Sequence, residues 1–349
     1  MRLLDIGQRR VGPGHPCFLI AEAGVNHNGD INLALELIDA AAAAGADAVK
    51  FQTFTANRLV TRTAPKAAYQ VQQTGPRETQ FEMLRRLELS PEAHQRLATR
   101  CLQCEVEFMS TPFDEESADL LAELGVRVFK IPSGEITNLP YLAHIAGKQK
   151  PMIVSTGMSG LGEIEDAVRT IRRNRDPALA LLHCVSNYPA NPADCNLRAL
   201  QTLQVAFGVP TGYSDHSPGI EVALASVALG ACILEKHFTL DRTLPGPDHQ
   251  SSLEPGELAS LVRGVRIVES ALGHGRKEPT PRESDTAAVA RKSLVVARDL
   301  AAGDILTPEM IAIKRPGTGL PPAMRDTLVG RRLKTSAVEG SLFTLEMLG

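Results

Sequence analysis

Tryptophan is absent from the sequence, and aromatic residues make up only 4% of it. With a formal net charge of −3, the chain has neither the stacking platforms nor the basic field that nucleic-acid binding uses. Long hydrophobic runs are missing as well. Ala223–Leu234 is broken by Ser226 and Gly230, and it falls short of the roughly 20 residues a membrane helix requires. Arg2, Arg9 and Arg10 are followed by no apolar stretch of signal-peptide length, so a cytoplasmic protein is expected. Zinc-type cysteine pairs are lacking too. Of Cys17, Cys101, Cys104, Cys184, Cys195 and Cys232, only Cys101 and Cys104 form a CxxC, and no second pair accompanies it. Reduced thiols in a reducing compartment fit that scatter.

What is present is alternation. Short β-like runs fall at Phe18–Ala23, Ala48–Gln52, Val106–Ser110, Arg127–Pro132, Met152–Ser155, Ala180–Cys184, Pro210–Gly212 and Cys232–His237. Helical patterns separate them: Ile31–Ala44, Pro91–Gln103, Glu115–Leu124, Gly162–Arg173, Leu197–Phe207, Gly219–Leu229 and Glu254–Leu272. Ser90 before Pro91 is a good N-cap followed by a good first helical residue. Eight strand candidates, with seven helical patterns between and after them, predict an α/β fold, a (β/α)8 TIM barrel. The polar stretch Thr55–Glu88 is a long excursion after the second strand and reads as an active-site loop. The expected domains are residues 1–275 for the barrel, 276–290 for a charged, Pro-containing linker, and 291–349 for a small β-rich domain. In that last domain Ser293–Ala297, Ile311–Lys314 and Leu342–Leu345 read as strands.

Barrel enzymes work at the carboxyl ends of their strands. Here those ends carry Glu22, Lys50, Gln52, Thr111, Lys130, Ser133, Glu135, Ser186, Tyr188, Ser214, His216 and His237. Lys50 and Lys130 are costly at such positions unless an anion pairs with them, and the hydroxyls beside them suit a ligand with phosphate and carboxylate groups. His216 and His237 end neighbouring strands and could share one divalent metal. Glu22 and Glu135 are candidates for proton transfer or for holding sugar hydroxyls. His183 reads equally as an inward core residue, and His27 as a cap of the first loop.

Several of these segments form recognisable motifs. Glu22-Ala23-Gly24-Val25-Asn26-His27-Asn28-Gly29, Lys130-Ile131-Pro132-Ser133-Gly134-Glu135, Tyr213-Ser214-Asp215-His216, Glu235-Lys236-His237-Phe238 and Gly246-Pro247-Asp248-His249 resemble the bacterial N-acetylneuraminate synthase family. Lys314-Arg315-Pro316-Gly317-Thr318-Gly319 resembles the signature of that family's C-terminal SAF (antifreeze-like) domain. The resemblance implies a metal-dependent condensation of phosphoenolpyruvate with N-acetylmannosamine, giving N-acetylneuraminate and phosphate by C–O cleavage.

Mapped by motif, Glu22, His216 and His237 would be catalytic, with His216 and His237 holding Mn2+ or Mg2+. Lys50, Thr111, Lys130, Ser133, Ser186 and Ser214 would cradle phosphoenolpyruvate. Gln52, Gln73, Glu135, Tyr188 and Asp248 would face the sugar. Arg315 would reach the sugar across a domain-swapped homodimer.

Gln73-Thr74-Gly75 stands where many neuraminate synthases carry Asn-Thr-Gly. Ile131–Pro140 is at least as similar to legionaminate synthases, which use 2,4-diacetamido-2,4,6-trideoxymannose. The alternatives are therefore a legionaminate synthase, a synthase acting on a phosphorylated sugar and, more distantly, a non-catalytic carbohydrate-binding protein.

Overall fold

The computed structural model describes residues Met1–Gly349, which divide into two compact units, Met1–Gly273 and His274–Gly349. The first unit opens with a hairpin of β1 (Leu4–Ile6) and β2 (Arg9–Val11). Eight parallel strands follow: β3 (Phe18–Gly24), β4 (Ala48–Thr53), β5 (Glu107–Pro112), β6 (Phe129–Ile131), β7 (Met152–Ser155), β8 (Leu179–Cys184), β9 (Thr211–Asp215) and β10 (Ile233–His237). Their order in the sheet is β5-β4-β3-β10-β9-β8-β7-β6, which is chain order wrapped into a ring. Between β5 and β6 no ladder is registered, and the Tyr141 hydroxyl donates to the Pro112 carbonyl at 2.7 Å beside that seam. The fold is a (β/α)8 barrel, as the alternation predicts.

Strand parity sorts the barrel's side chains. One parity contributes Phe18, Ile20, Ala48, Met109, Val128, Ile153, Ala180, Leu182 and Ile233 to a single apolar cluster, and Leu4, Ile6 and Val11 of the hairpin complete it. The hairpin thus stoppers the amino-terminal end of the lumen. The opposite parity, with Leu19, Val49, Phe51, Phe129, Val154, Leu181 and Leu234, packs against the surrounding helices in a larger cluster.

Helices Ile31–Ala44 and Pro91–Gln103 have the predicted limits. Asp30 caps the first, accepting from Asn32 N, and Gly45 ends it at φ +84°, in the left-handed region that favours glycine. Four features depart from expectation. Helix Leu139–Ala146 completes the fourth unit; at eight residues, with Pro140 near its start, it is too short for a clear periodicity. The excursion after β4 is built from three short helices, Ala56–Leu59, Ala68–Thr74 and Gln80–Leu87. The expected linker contains helix Ser284–Ala290. Finally, Leu342–Leu345 is not a strand: Leu342 makes one isolated bridge to Val295, and a 3-10 turn begins at Leu345.

In the second unit, β11 (Ser293–Val296) pairs antiparallel with β12 (Ile311–Lys314). Leu294, Val296, Leu306, Leu328, Leu333 and Phe343 form its own core.

Candidate active site

The lumen parity that is apolar at the bottom turns polar one step higher. Phe18 and Ile20 lead to Glu22, Ala48 to Lys50, Met109 to Thr111, Val128 to Lys130, Ile153 to Ser155, and Ile233 to Glu235 and His237. Ladder register then sets neighbours. Glu22 lies opposite Lys50 on one side and His237 on the other, while Glu235 lies opposite Ser214. The polar layer floors a cavity of about 410 Å³.

The floor is an ion network. Lys50 Nζ lies 2.7 Å from Glu22 Oε2 and 3.6 Å from Glu235 Oε2, and it donates to Thr111 Oγ1 at 2.8 Å. Lys130 Nζ stands 3.4 Å from Glu235 Oε1, which accepts from Ser214 Oγ at 2.9 Å. The lysine ammoniums are the polar neighbours of both buried Oε2 atoms, Glu22 Oε2 facing Lys50 at 2.7 Å and Glu235 Oε2 facing it at 3.6 Å. All four charged groups are buried.

Two carboxyls in one pocket are driven apart. Burial raises Glu22 well above the usual carboxylate range, more than Lys50 lowers it, and Glu235 adds to the rise. Burial acts on Glu235 too, but Lys130, Lys50 and the Ser214 hydrogen bond bring it below that range. Such divergence suits a proton-exchanging group beside a permanent anion. Burial also pushes Asp248 up to about 6.

Two glycines shape the rim for different reasons: Gly24 adopts φ +54°, the left-handed region that favours glycine, while Gly157 allows a close approach. Gly157 N donates to Ser133 Oγ at 2.9 Å, and a Cβ at that position would lie only 2.3 Å from Ser186 Oγ. Its backbone therefore belongs to the same cradle as the two hydroxyls.

The rings of His216 and His237 lie 5.4 Å apart, and Tyr188 packs on both at 4.1 and 5.6 Å. His216 Nδ1 bonds the Val185 carbonyl at 2.9 Å, which leaves Nε2 as a free donor atom. His237 Nδ1 is buried without a partner, and burial, with His216 and Lys50 nearby, drives this histidine well below its usual range, so the ring is neutral. Burial lowers His216, but Cys184, the Val185 carbonyl and Glu235 hold it above its usual range, so it would give up its proton to a bound cation. Deprotonated imidazole nitrogens are the ligands a borderline divalent cation takes, and the paired rings fit one. No cluster of three or more His, Cys, Asp or Glu side chains surrounds it, so further ligands would be substrate or water oxygens.

Of the residues expected at the site, Glu22, Lys50, Gln52, Thr111, Lys130, Ser133, Tyr188, Ser186, Ser214, His216, His237 and Asp248 all line this cavity. Gln73 and Glu135 are not among its lining residues. The Gln73 amide bonds Gln250, and Glu135 accepts from Asn138 Nδ2 at 2.7 Å. Arg315 lies in the second unit, where its Nε donates to the Ala290 carbonyl at 3.0 Å. His183 has the outward parity and bonds the Cys195 carbonyl at 2.7 Å.

Sequence reasoning missed Ser155, Cys184 and Glu235, all on the lumen parity and all lining the cavity. Parity alone would have found them. In addition, two buried lysines demanded a counter-carboxylate that only Glu235 and Glu22 supply. Cys184 Sγ lies 3.8 Å from His216 Nδ1; burial raises this thiol, but His216, Ser133 and Lys130 bring it down to about 7.

The protein is a carbon–carbon bond-forming transferase of the sialic-acid-type synthase class: its near-full-length relatives are such synthases, and a carboxyl rim that joins buried lysines, a split carboxyl pair and a histidine pair suits their chemistry. The chain belongs to the NeuB family, whose model matches residues 37–277, and residues 291–349 match the SAF domain. It is 49% identical to the N,N'-diacetyllegionaminic acid synthase of Legionella pneumophila over 96% of this chain and 95% of that protein. It is 48% identical to the N,N'-diacetyllegionaminic acid synthase of Campylobacter jejuni, over 90% and 94% respectively. The crystal structure of an N-acetylneuraminic acid synthetase from Leptospira borgpetersenii matches with a TM-score of 0.73 and 39% identity, over 82% of this chain and 95% of that one.

Proposed function

We propose that the protein condenses phosphoenolpyruvate with 2,4-diacetamido-2,4,6-trideoxymannose to give N,N'-diacetyllegionaminate and phosphate. The observation that carries the sugar is the near-full-length identity to two synthases of that product, one of 49% and one of 48%. N-acetylmannosamine, which the motifs first suggest, is the second reading, supported by the likeness to the Leptospira synthetase.

In this reading Lys50 and Lys130 bind the phosphate and carboxylate of phosphoenolpyruvate, and Thr111, Ser133, Ser186 and Ser214 add hydroxyl donors. Gln52, Tyr188 and Asp248 orient the open-chain sugar so that its aldehyde faces C3 of phosphoenolpyruvate. The C3–C1 bond forms as the aldehyde π electrons move to oxygen, which takes up a proton from solvent. Water adds to the cationic C2 and gives its proton to Glu22. The resulting hemiketal phosphate breaks the bond from C2 to its phosphate oxygen as the C2 hydroxyl gives its proton to the departing phosphate, leaving the ketone. The Lewis-acid polarisation of the aldehyde would come from Mn2+ or Mg2+ held by His216 and His237.

The domain limits, a cytoplasmic location and a swapped homodimer that brings Arg315 of one protomer to the sugar of the other complete the proposal. No helix is long and apolar enough to cross a membrane.

The test is phosphate release with phosphoenolpyruvate and Mn2+, run in parallel with the diacetamido sugar, N-acetylmannosamine and its 6-phosphate. A dominant rate with the first supports the legionaminate reading. A dominant rate with N-acetylmannosamine replaces it with the second reading. No release with any of them, from folded, metal-loaded protein, overturns both.

A further inference from the structure

One wall of the cavity carries no charge. Its charged lining groups, Glu22, Lys50, Lys130, Glu235 and Asp248, come from strand ends or from the loop after β10. The wall contributed by the excursion after β4 offers Leu59, Val60, Met83, Leu84 and Leu87, with Val25 behind them. Val25, Met83, Leu84 and Leu87 belong to one small apolar cluster, with Leu59 and Val60 packed against it. The polar side chains this excursion adds to the lining, Tyr69, Gln70 and Gln80, are neutral. None of the cations of the same excursion lines the cavity: Arg58 pairs with Asp114 and Glu116, Arg62 lies over the Phe81 ring at 5.7 Å, Arg86 pairs with Glu78, Arg77 and Arg85 border a separate surface hollow, and Lys66 bonds Thr74 and the Gly75 carbonyl.

We propose that this apolar wall is the specificity surface for the tail of the sugar, receiving the methyl end of a 6-deoxy aldose and disfavouring a 6-hydroxyl or 6-phosphate. The assignment rests on the proposed condensation, because it requires the aldehyde to lie at the floor beside His216 and His237 and the chain to run away from it. A methyl group on Leu59, Val60 and Met83 removes apolar surface from water. A hydroxyl at the same place loses its water partners and gains none. A phosphate would meet no cation on this wall, since the lysines lining the cavity, Lys50 and Lys130, are in the floor. The neutral amides of Gln70 and Gln80 suit uncharged acetamido groups on the intervening carbons.

The experiment measures kcat/KM for two sugar pairs, each differing only at C6. One pair is 2,4-diacetamido-2,4,6-trideoxymannose and its 6-hydroxy analogue; the other is 6-deoxy-N-acetylmannosamine and N-acetylmannosamine. Within each pair the 6-deoxy sugar is expected to be favoured by on the order of tenfold or more. Val60→Thr, which keeps the shape and adds a hydroxyl, and Leu59→Asn should each cut that ratio several-fold while leaving the KM for phosphoenolpyruvate unchanged. Leu59 and Val60 are only half-buried, so both variants are expected to fold. Ratios within twofold for both pairs, or ratios unmoved by both substitutions, would overturn the proposal. If N-acetylmannosamine-type sugars prove to be the better substrates, the legionaminate reading fails, yet the second pair still measures the wall independently.

Discussion

The floor of the cavity rests on the ends of eight ladder-paired strands, whereas the wall opposite rests on one excursion between β4 and β5. In the floor, hydrogen-bonded register determines which residue faces which, so Glu22, Lys50 and His237 are brought together by backbone alone. In the wall, short helices are pinned by side chains. Lys66 Nζ donates to Thr74 Oγ1 and to the Gly75 carbonyl at 2.8 and 2.6 Å, and the Ala56 N–H donates to Glu88 at 2.7 Å. The difference teaches a division of labour. Chemistry sits where geometry is over-determined, and choice of substrate sits where a loop can change without disturbing the barrel.

Substitutions in the two regions should therefore behave differently. The largest effect is expected from Lys130→Met in the floor, with kcat/KM for phosphoenolpyruvate falling on the order of 10³-fold. A loss under tenfold would remove Lys130 from the anion cradle. Glu235→Gln strips the shared carboxylate from two buried lysines and should destabilise the substrate-free protein by about 3 kcal/mol, measured by urea unfolding. Saturating phosphoenolpyruvate should recover part of that loss, because the ligand brings its own negative charge; no recovery would break the link between floor charge and substrate.

His237→Ala should weaken Mn2+ binding, followed by calorimetry, by on the order of 10²-fold while the circular dichroism spectrum stays unchanged. Unaltered binding would take this histidine out of the metal pair.

A smaller, pH-dependent effect is expected at Asp248, whose pKa burial pushes up to about 6. A carboxyl with a folded pKa above its unfolded value is bound to its proton more tightly when folded. Its stabilising contribution is complete below about pH 4 and is lost as pH rises through about 6. Asp248→Asn should thus raise the unfolding free energy of the substrate-free protein by roughly 1–3 kcal/mol at pH 8 and change little at pH 4. A gain that is equal at both pH values would mean that Asp248 is not the titrating group.

The smallest effect belongs to Gln73→Ala, since this amide contacts Gln250 and is not among the residues lining the cavity. Relative turnover of the three sugars should shift by less than about threefold. A larger shift would bring Gln73 back among the sugar contacts.

Much of the floor was legible in sequence. The β-like runs overlap all eight strands, although Pro210–Gly212 catches only the start of β9, and Lys50, Thr111, Lys130, Ser214 and His237 read as strand-end residues from sequence alone. Glu235 is not marked by its motif, because the run Glu235-Lys236-His237 does not by itself say which residues face inward. Strand alternation separates Glu235 and His237, which line the cavity, from Lys236, whose ammonium lies 2.7 Å from Asp215 outside it. The helix Leu139–Ala146 escaped because eight residues give barely two turns of pattern. Gln73 and Glu135, which the resemblance assigns to the sugar, are not among the residues lining the cavity, and motif position alone does not determine where a side chain points.

By itself the sequence determined the alternation of strands and helices, the parity that makes the lumen apolar below and polar above, and the set of ionisable groups at one rim. These follow from local periodicity, which acts within each strand regardless of its neighbours. Only the tertiary structure decided which carboxyl partners which lysine, why Glu22 and Glu235 titrate apart, and which apolar residues of the excursion face the cavity. Those outcomes depend on ring closure and on burial by residues far away in the chain, and neither is encoded in any local pattern.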